Sequence, residues 1–429
     1  MGMAVQAQRK RNHVNTDMHR IISKILPLMA VMLFALPPYT FAHPTETDTI
    51  ISLITCAPGG EVYELEGHTA LRIQDKQNDV IVNWGLFDFN APFFVYRFVK
   101  GQTDYMCGEM PTGAFLSHYI QSGRQVTEQV LNLTPEETRK IIAAINENLK
   151  PENRIYRYNY VKDNCATRPL DIISAALNDT IRLAVPPETL TGETPTYRSI
   201  MQATHRNSPW YQFGIDLLLG NGIDYPITRK EAAFAPEVLM HMMKLSAVGD
   251  RPLVSDTNIL YKSSDATEEP TPWFLTPLAC FSLLLVLTIF VTLVDVRSKE
   301  ISRWFDTQLF IVFGLVGCLI TFLVFFSAHE ATTPNLLILW LNPFCLLVPA
   351  LIRVKKCAIF LVIYQIINII AICVMIILMV RMNQNINPAF IPLWACDIIR
   401  AWSYIHITLC VRKRKNLYRI RYSVYSSYR

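Results

Sequence analysis

The sequence predicts an α+β domain exported across a membrane and followed by a bundle of five transmembrane helices. Three observations carry that expectation. The C-terminal third is a series of long apolar runs, the loops between the runs alternate in basic charge, and the N-terminus is basic and then apolar. Hydrophobic residues make up 51% of the chain and charged residues 17%, whereas a soluble globular domain carries about 25% charged residues. Part of this chain therefore belongs in lipid. The formal net charge of +5 is modest, and the basic residues gather where membrane topology places them, so no nucleic-acid partner is expected.

Taken in order, residues 1–42 read as a secretory signal peptide or an N-terminal anchor. Arg9, Lys10, Arg11, Arg20 and Lys24 precede the apolar stretch 25–36, and Thr40 and Ala42 suit a cleavage site. Either form gives the same topology. Residues 43–260 are the exported domain. Its first part reads as β-rich: strands over 49–55, 67–74 and 80–84, with turns at Pro58-Gly59-Gly60 and at 75–79. Thr134-Pro135-Glu136-Glu137 has the form of a capping box with proline at the first helical position, which starts a helix running to about residue 149. A strand is expected over 155–161 and a helix over 165–177, then helices near 208–219 and 236–245. The polar stretch 255–271 reads as a linker, with its membrane-proximal part at 261–272.

The membrane domain is expected over 273–411, with spans near 273–294, 309–328, 336–352, 358–380 and 390–411. Each is near the length of about 20 apolar residues that crosses a bilayer. Arg297, Lys299 and Arg303 follow the first run, Arg353, Lys355 and Lys356 the third, and Arg412, Lys413, Arg414 and Lys415 the fifth. Cytoplasmic loops carry the excess of Lys and Arg. The basic tail 412–429 is therefore expected in the cytoplasm and the exported domain outside. Asp397 and Arg400 lie inside the fifth run at i and i+3, a spacing that lets them pair.

Three cysteines fall in the exported domain: Cys56, Cys107 and Cys165. Cys165 follows the expected strand and opens the expected helix, where free N–H groups and the helix dipole favour a thiolate. A thiolate nucleophile needs a base and the base an orienting acceptor. His68 fits the first role, because alternation places it with Ala70 and Arg72 on the face opposite Thr69, Leu71 and Ile73. Asn83 fits the second: it lies directly across from His68 if the hairpin turns about residues 75 and 76, and diagonally if it turns one residue later. Cys56 is a rival nucleophile, a partner for Cys107 or apolar filler. His118, His205 and His241 are rival bases without an evident orienter. Pro169 cannot donate to the Cys165 carbonyl, so the helix start is expected to be irregular. Arg168 and Arg72 are candidates to meet a phosphate, Asn164 and Asp88 to support substrate, with Asp88 also a partner for either arginine. The aromatic stretch from Trp84 to Phe98 either packs in a core, lines an acyl groove or meets the membrane interface. No CxxC pair, HExxH, Walker loop or Rossmann glycine pattern is present, so no metal and no cofactor is expected.

The order His68, Asn83, Asn164-Cys165 resembles the circularly permuted branch of the NlpC/P60 papain-like superfamily, which includes lecithin:retinol acyltransferase. A longer resemblance covers nearly the whole chain. Leu53-Ile54-Thr55-Cys56-Ala57-Pro58-Gly59, Gly67-His68-Thr69-Ala70-Leu71-Arg72, Asn83-Trp84-Gly85-Leu86-Phe87-Asp88-Phe89, Asp163-Asn164-Cys165-Ala166-Thr167-Arg168-Pro169 and the segment from Phe213 to Gly220 stand in order before a multi-span tail. Together they resemble the Lnb family of lipoprotein N-acyltransferases. That resemblance implies a permuted papain-like exported domain anchored in the inner membrane. It implies a phospholipid as acyl donor and the lipid-modified N-terminal cysteine of a lipoprotein as acceptor, with Cys165, His68 and Asn83 at the centre. Two other classes compete with it, a cell-wall peptidase or amidase on the same fold and a non-catalytic envelope module.

Overall fold

Alternating apolar side chains build one antiparallel sheet. The computed structural model describes residues 49–192, 194–263, 271–382 and 384–426, so the expected leader and residues 264–270 of the linker lie outside the described residues. Strands β1 (Ile50–Cys56), β2 (His68–Gln74), β3 (Asp79–Leu86), β4 (Asp104–Pro111), β5 (Val126–Leu131), β6 (Ile155–Arg157) and β7 (Val254–Tyr261) form a seven-stranded sheet in the order β7-β5-β1-β2-β3-β4-β6. Leu53, Leu71, Ile73, Val82 and Trp84 point to one face and into the main core. Ile54, Ala70 and Ile81 point to the other.

Helices cover both faces. Short α1 (Phe94–Val99) follows β3, and α2 (Thr112–Gln121) lays Phe115 and Tyr119 on the second face. On the first face lie α3 (Pro135–Leu149), with Ile141 and Ile145, and α4 (Thr167–Ala176), with Leu170 and Ile173. Thr134 closes the expected capping box on α3: its hydroxyl accepts from Glu137 N–H, and the Glu137 carboxylate accepts from Thr134 N–H. Helices α5 (Tyr197–Thr204), α6 (Pro209–Leu218) and α7 (Pro236–Leu245) complete the domain, with Leu239 and Met242 of α7 in the same core.

Two expected boundaries change. The strand expected over 155–161 stops at Arg157, because Asn159 Oδ1 accepts from the N–H groups of Val161 and Lys162 and turns the chain. The first part of the polar stretch expected as linker is β7, which closes one edge of the sheet against β5. Its polar side chains face water, so period and composition there disagree.

Among the described residues of the C-terminal region three helices are long and apolar enough to cross a membrane: α8 (Pro277–Ser298), α9 (Arg303–Phe325) and α10 (Ala358–Arg381), the last within the apolar segment Lys355–Arg381. Helix α11 (Phe390–Ser426) covers the fifth run. The third run is not one helix. It breaks into short turns over Leu336–Leu339 and Pro343–Leu346 and a short helix over Leu347–Leu351. Asn335 and Asn342 cap these turns by accepting from the N–H groups two residues on, and Pro343 starts the second. Broken backbone at membrane depth is tolerated where it is buried in protein or lines a water-filled cavity. Here it lies against α9 at Gly314 and Gly317, where a side chain would strike Leu346 and the Asn342 backbone.

Asp397 and Arg400 do not pair with each other. Arg400 reaches Asp306 (2.6 Å), Asp295 (2.7 Å) and Thr292 (2.9 Å), and Asp397 accepts from Trp340 Nε1 (2.9 Å) and Asn368 (2.7 Å). Neighbouring helices offered both side chains better geometry than one turn of their own helix.

The sheet domain and the helices are joined through the loop after α9. Ala328 N–H donates to Lys100 O (2.9 Å), His329 Nε2 to Phe98 O (2.7 Å) and Ser327 Oγ to Val99 O (2.9 Å). Further along, Gly220 N–H donates to Ala331 O (2.9 Å) and Asn335 Nδ2 to Leu217 O (3.1 Å).

Candidate active site

The site forms where β2 begins, β3 ends and α4 begins. Ala70 stands across from Asn83, so His68 and Asn83 are diagonal, the second of the two hairpin registers. Diagonal side chains on one face remain within reach. His68 Nε2 lies 3.0 Å from Asn83 Oδ1. An amide oxygen only accepts, so Nε2 carries the proton and Nδ1 is free to face a thiol. Asn83 is buried and this bond uses its oxygen.

Cys165 precedes the first turn of α4 by two residues. Asn164 places it there. Asn164 Oδ1 accepts from Ala166 N–H (2.8 Å) and Thr167 N–H (2.9 Å), and its Nδ2 donates to Tyr160 O and Phe234 O (both 2.9 Å). Every group of that amide is used, so Asn164 holds the cysteine and has none left for substrate. Pro169 leaves the Cys165 carbonyl without its helical donor, as expected.

The sulfur sits among donors. His68, the Thr69 backbone and Tyr158 all act on the Cys165 sulfur and favour its charged form. Burial pushes the Cys165 thiol up, but these three groups together pull it below the ordinary thiol value. Burial pushes His68 down, and the Cys165 charge with the Cys165 and Asn83 hydrogen bonds raises it above the ordinary value. The two shifts favour a thiolate beside an imidazolium. Burial drives Tyr158 well above its ordinary range, so it keeps its proton and serves as a donor. Tyr158 was not legible as a site residue; it follows a short edge strand and reaches Cys165 only in the folded chain. Gly85 makes room for it. There the chain takes φ +91°, and a methyl group would come within 3.2 Å of the Tyr158 ring. The β3–β4 register also shifts between Asn83 and Leu86, which ends the regular ladder at the site.

The rival residues separate from this arrangement. Cys56 stands across from His68 on β1, but burial pushes its thiol up to about 12 and Tyr119 bonds it. That shift keeps Cys56 protonated. Cys56 and Cys107 do not pair: both are free, on strands with two others between them, one in each core. His205, set aside for want of an orienter, has one. Its Nδ1 lies 2.8 Å from Gln212 Oε1 and its Nε2 lies 2.7 Å from Glu66 Oε1, which also accepts from the Tyr160 hydroxyl (2.7 Å). The His205 ring is buried, and the cluster fixes the chain entering β2.

Neither arginine stands free for phosphate. Arg72 pairs with Asp79 (2.7 Å) and Glu128 (2.8 Å) on the sheet. Arg168 pairs with Asp163, and its guanidinium lies 3.5 Å from the Tyr156 ring centre. Asp88 pairs with neither. It accepts from Asn90 N–H (2.8 Å) and lines a small cavity of about 170 Å³ with Phe94, Arg97, Thr103 and Asp104. Among the described residues no group of three or more His, Cys, Asp or Glu side chains is placed to hold a metal ion.

Two family models match the chain. One, described as the Lnb N-terminal periplasmic domain, matches residues 42–203 and so spans His68, Asn83 and Cys165. The other, described as the Lnb transmembrane domain, matches residues 269–414. No curated protein and no solved structure matched.

Proposed function

The chain belongs to the Lnb family, and from that premise we propose that it is an envelope lipoprotein N-acyltransferase working through a Cys165 thioester. One observation carries the reading: His68, held by Asn83 at 3.0 Å, acts on the thiol of Cys165 just before α4 and favours its thiolate. In the first step the Cys165 thiolate attacks an ester carbonyl of a phospholipid. The tetrahedral adduct collapses, the C–O bond breaks, and the lysophospholipid alkoxide takes the His68 proton. In the second, the α-amine of a lipid-modified lipoprotein cysteine attacks the thioester. His68, now neutral, takes the amine proton, the C–S bond breaks, and the thiolate returns beside imidazolium. Two easier steps replace one hard one, and the general base supplies about 10²–10⁴-fold of the rate. The exported domain is read as a permuted papain-like unit on the outer side of the inner membrane. The apolar segments are read as five crossings, with the basic tail inside.

The test is mass spectrometry of one lipoprotein's N-terminal lipopeptide from cells carrying the native chain, Cys165→Ala, Cys56→Ala or none. The N-linked acyl chain should be lost without the protein and in Cys165→Ala, and kept in Cys56→Ala. Full acylation in every strain would overturn the proposal.

A further inference from the structure

A row of aromatic rings joins the outer end of α9 to Cys165. Centroid distances run 6.2 Å from His329 to Phe98, 6.0 Å to Phe94, 5.8 Å to Phe87, 5.1 Å to Tyr105 and 4.4 Å to Tyr158, and Tyr158 and Cys165 meet at Gly85, where a methyl group would lie 3.2 Å from the Tyr158 ring and 3.9 Å from the Cys165 Cβ. The outer flank of this row is bare. Phe93 is 83% exposed and Phe89 56%. Water offers such a ridge nothing, and contiguous exposed apolar surface marks a binding face.

The surroundings say what covers it. Helix α1 hangs from the loop after α9 by the Lys100, Phe98 and Val99 carbonyls, and Tyr96 lies 6.4 Å from Phe322 of α9. Phe325 and Phe326 at the outer end of α9 are also exposed. The ridge therefore continues the lipid-facing surface of a spanning helix, at the level where aromatic rings collect at membrane interfaces.

We propose that this ridge is immersed in the outer half of the bilayer and is the track along which one acyl chain of a membrane phospholipid reaches Cys165. The track rests on the acyltransferase reading; the immersion does not. The full chain, with p-benzoylphenylalanine in place of Phe93, Phe87 or Ile50, is reconstituted into phosphatidylethanolamine–phosphatidylglycerol vesicles bearing radiolabelled acyl chains and irradiated. Ile50 is exposed at the end of β1 away from Cys56 and serves as reference. Each substitution is also made with Cys165→Ala, so that labelling does not depend on turnover. Phe93 and Phe87 should capture several-fold more labelled lipid than Ile50 in both backgrounds. Capture at Phe93 no greater than at Ile50, or adducts to a second copy of the chain or to added lipoprotein instead, overturns immersion. Capture at Phe93 without capture at Phe87 overturns the track. Capture at both with no acyl-enzyme on Cys165 overturns the track as an acyl-chain route to the thiol and leaves the immersion standing.

Discussion

His68, Asn83 and Cys165 were legible because each carries a local signature: a histidine on the strand face opposite Thr69, Leu71 and Ile73, an amide among Val80, Ile81 and Val82, and a cysteine where a strand gives way to a helix. Tyr158 carried none, because its contact with Cys165 exists only once β6 pairs with β4. The same blindness hid the partner of Arg72, Glu128, which lies 56 residues away. The paired shifts set a window for chemistry. Protonation of the sulfur sets the acid limb and loss of the imidazolium proton the alkaline limb, and the lowered Cys165 and raised His68 values both favour the thiolate–imidazolium pair. Alkylation of Cys165 by iodoacetamide should thus persist to pH values below the ordinary thiol value of about 8.5. Tyr158→Phe removes a group that favours the thiolate and should move the acid limb of that profile upward. Asn83→Ala removes a bond that raises His68 and should move the alkaline limb of acyl transfer downward. Profiles unmoved by either change would separate these residues from the sulfur's ionisation.

Elements were legible where period and termini agreed. Strands β1 to β3 are short apolar runs bounded by turn residues, and α3 announces itself through Thr134, Pro135 and Glu137. Thr134→Ala should cost about 1 kcal/mol of stability, seen as a lower midpoint in chemical denaturation of the full chain; an unchanged midpoint would mean that tertiary packing alone starts α3. Strand β5 was not legible, because its central Thr127, Glu128 and Gln129 are polar yet buried. Arg72 satisfies Glu128, and Gln129 donates to Met240 O (2.9 Å). The third apolar run had the composition of a span, but composition does not record that Asn342 and Pro343 end one turn and start another.

At the scale of the whole molecule, the basic loops and apolar runs foretold two regions, but the joints between them came only with the structure. Arg400 ties α11 to Asp295 of α8 and Asp306 of α9, all buried. Arg400→Met leaves two carboxylates unpaired and should cost about 3–5 kcal/mol, read as a lower thermal midpoint of the full chain in detergent. Adding Asp295→Asn and Asp306→Asn should restore most of it, and no recovery would mean that packing of the arginine stem is what was lost. The hydrogen bonds between α1 and the loop after α9 have another consequence. With the ridge immersed as proposed, they hold the thiol at one altitude relative to the bilayer. On the proposed chemistry, an amine leashed to the same membrane by its own lipid sweeps past that altitude repeatedly, at a local concentration set by its tether. A free peptide bearing the same residues meets the thiol only by diffusion. The acceptor is then chosen by the length of its leash rather than by its side chains.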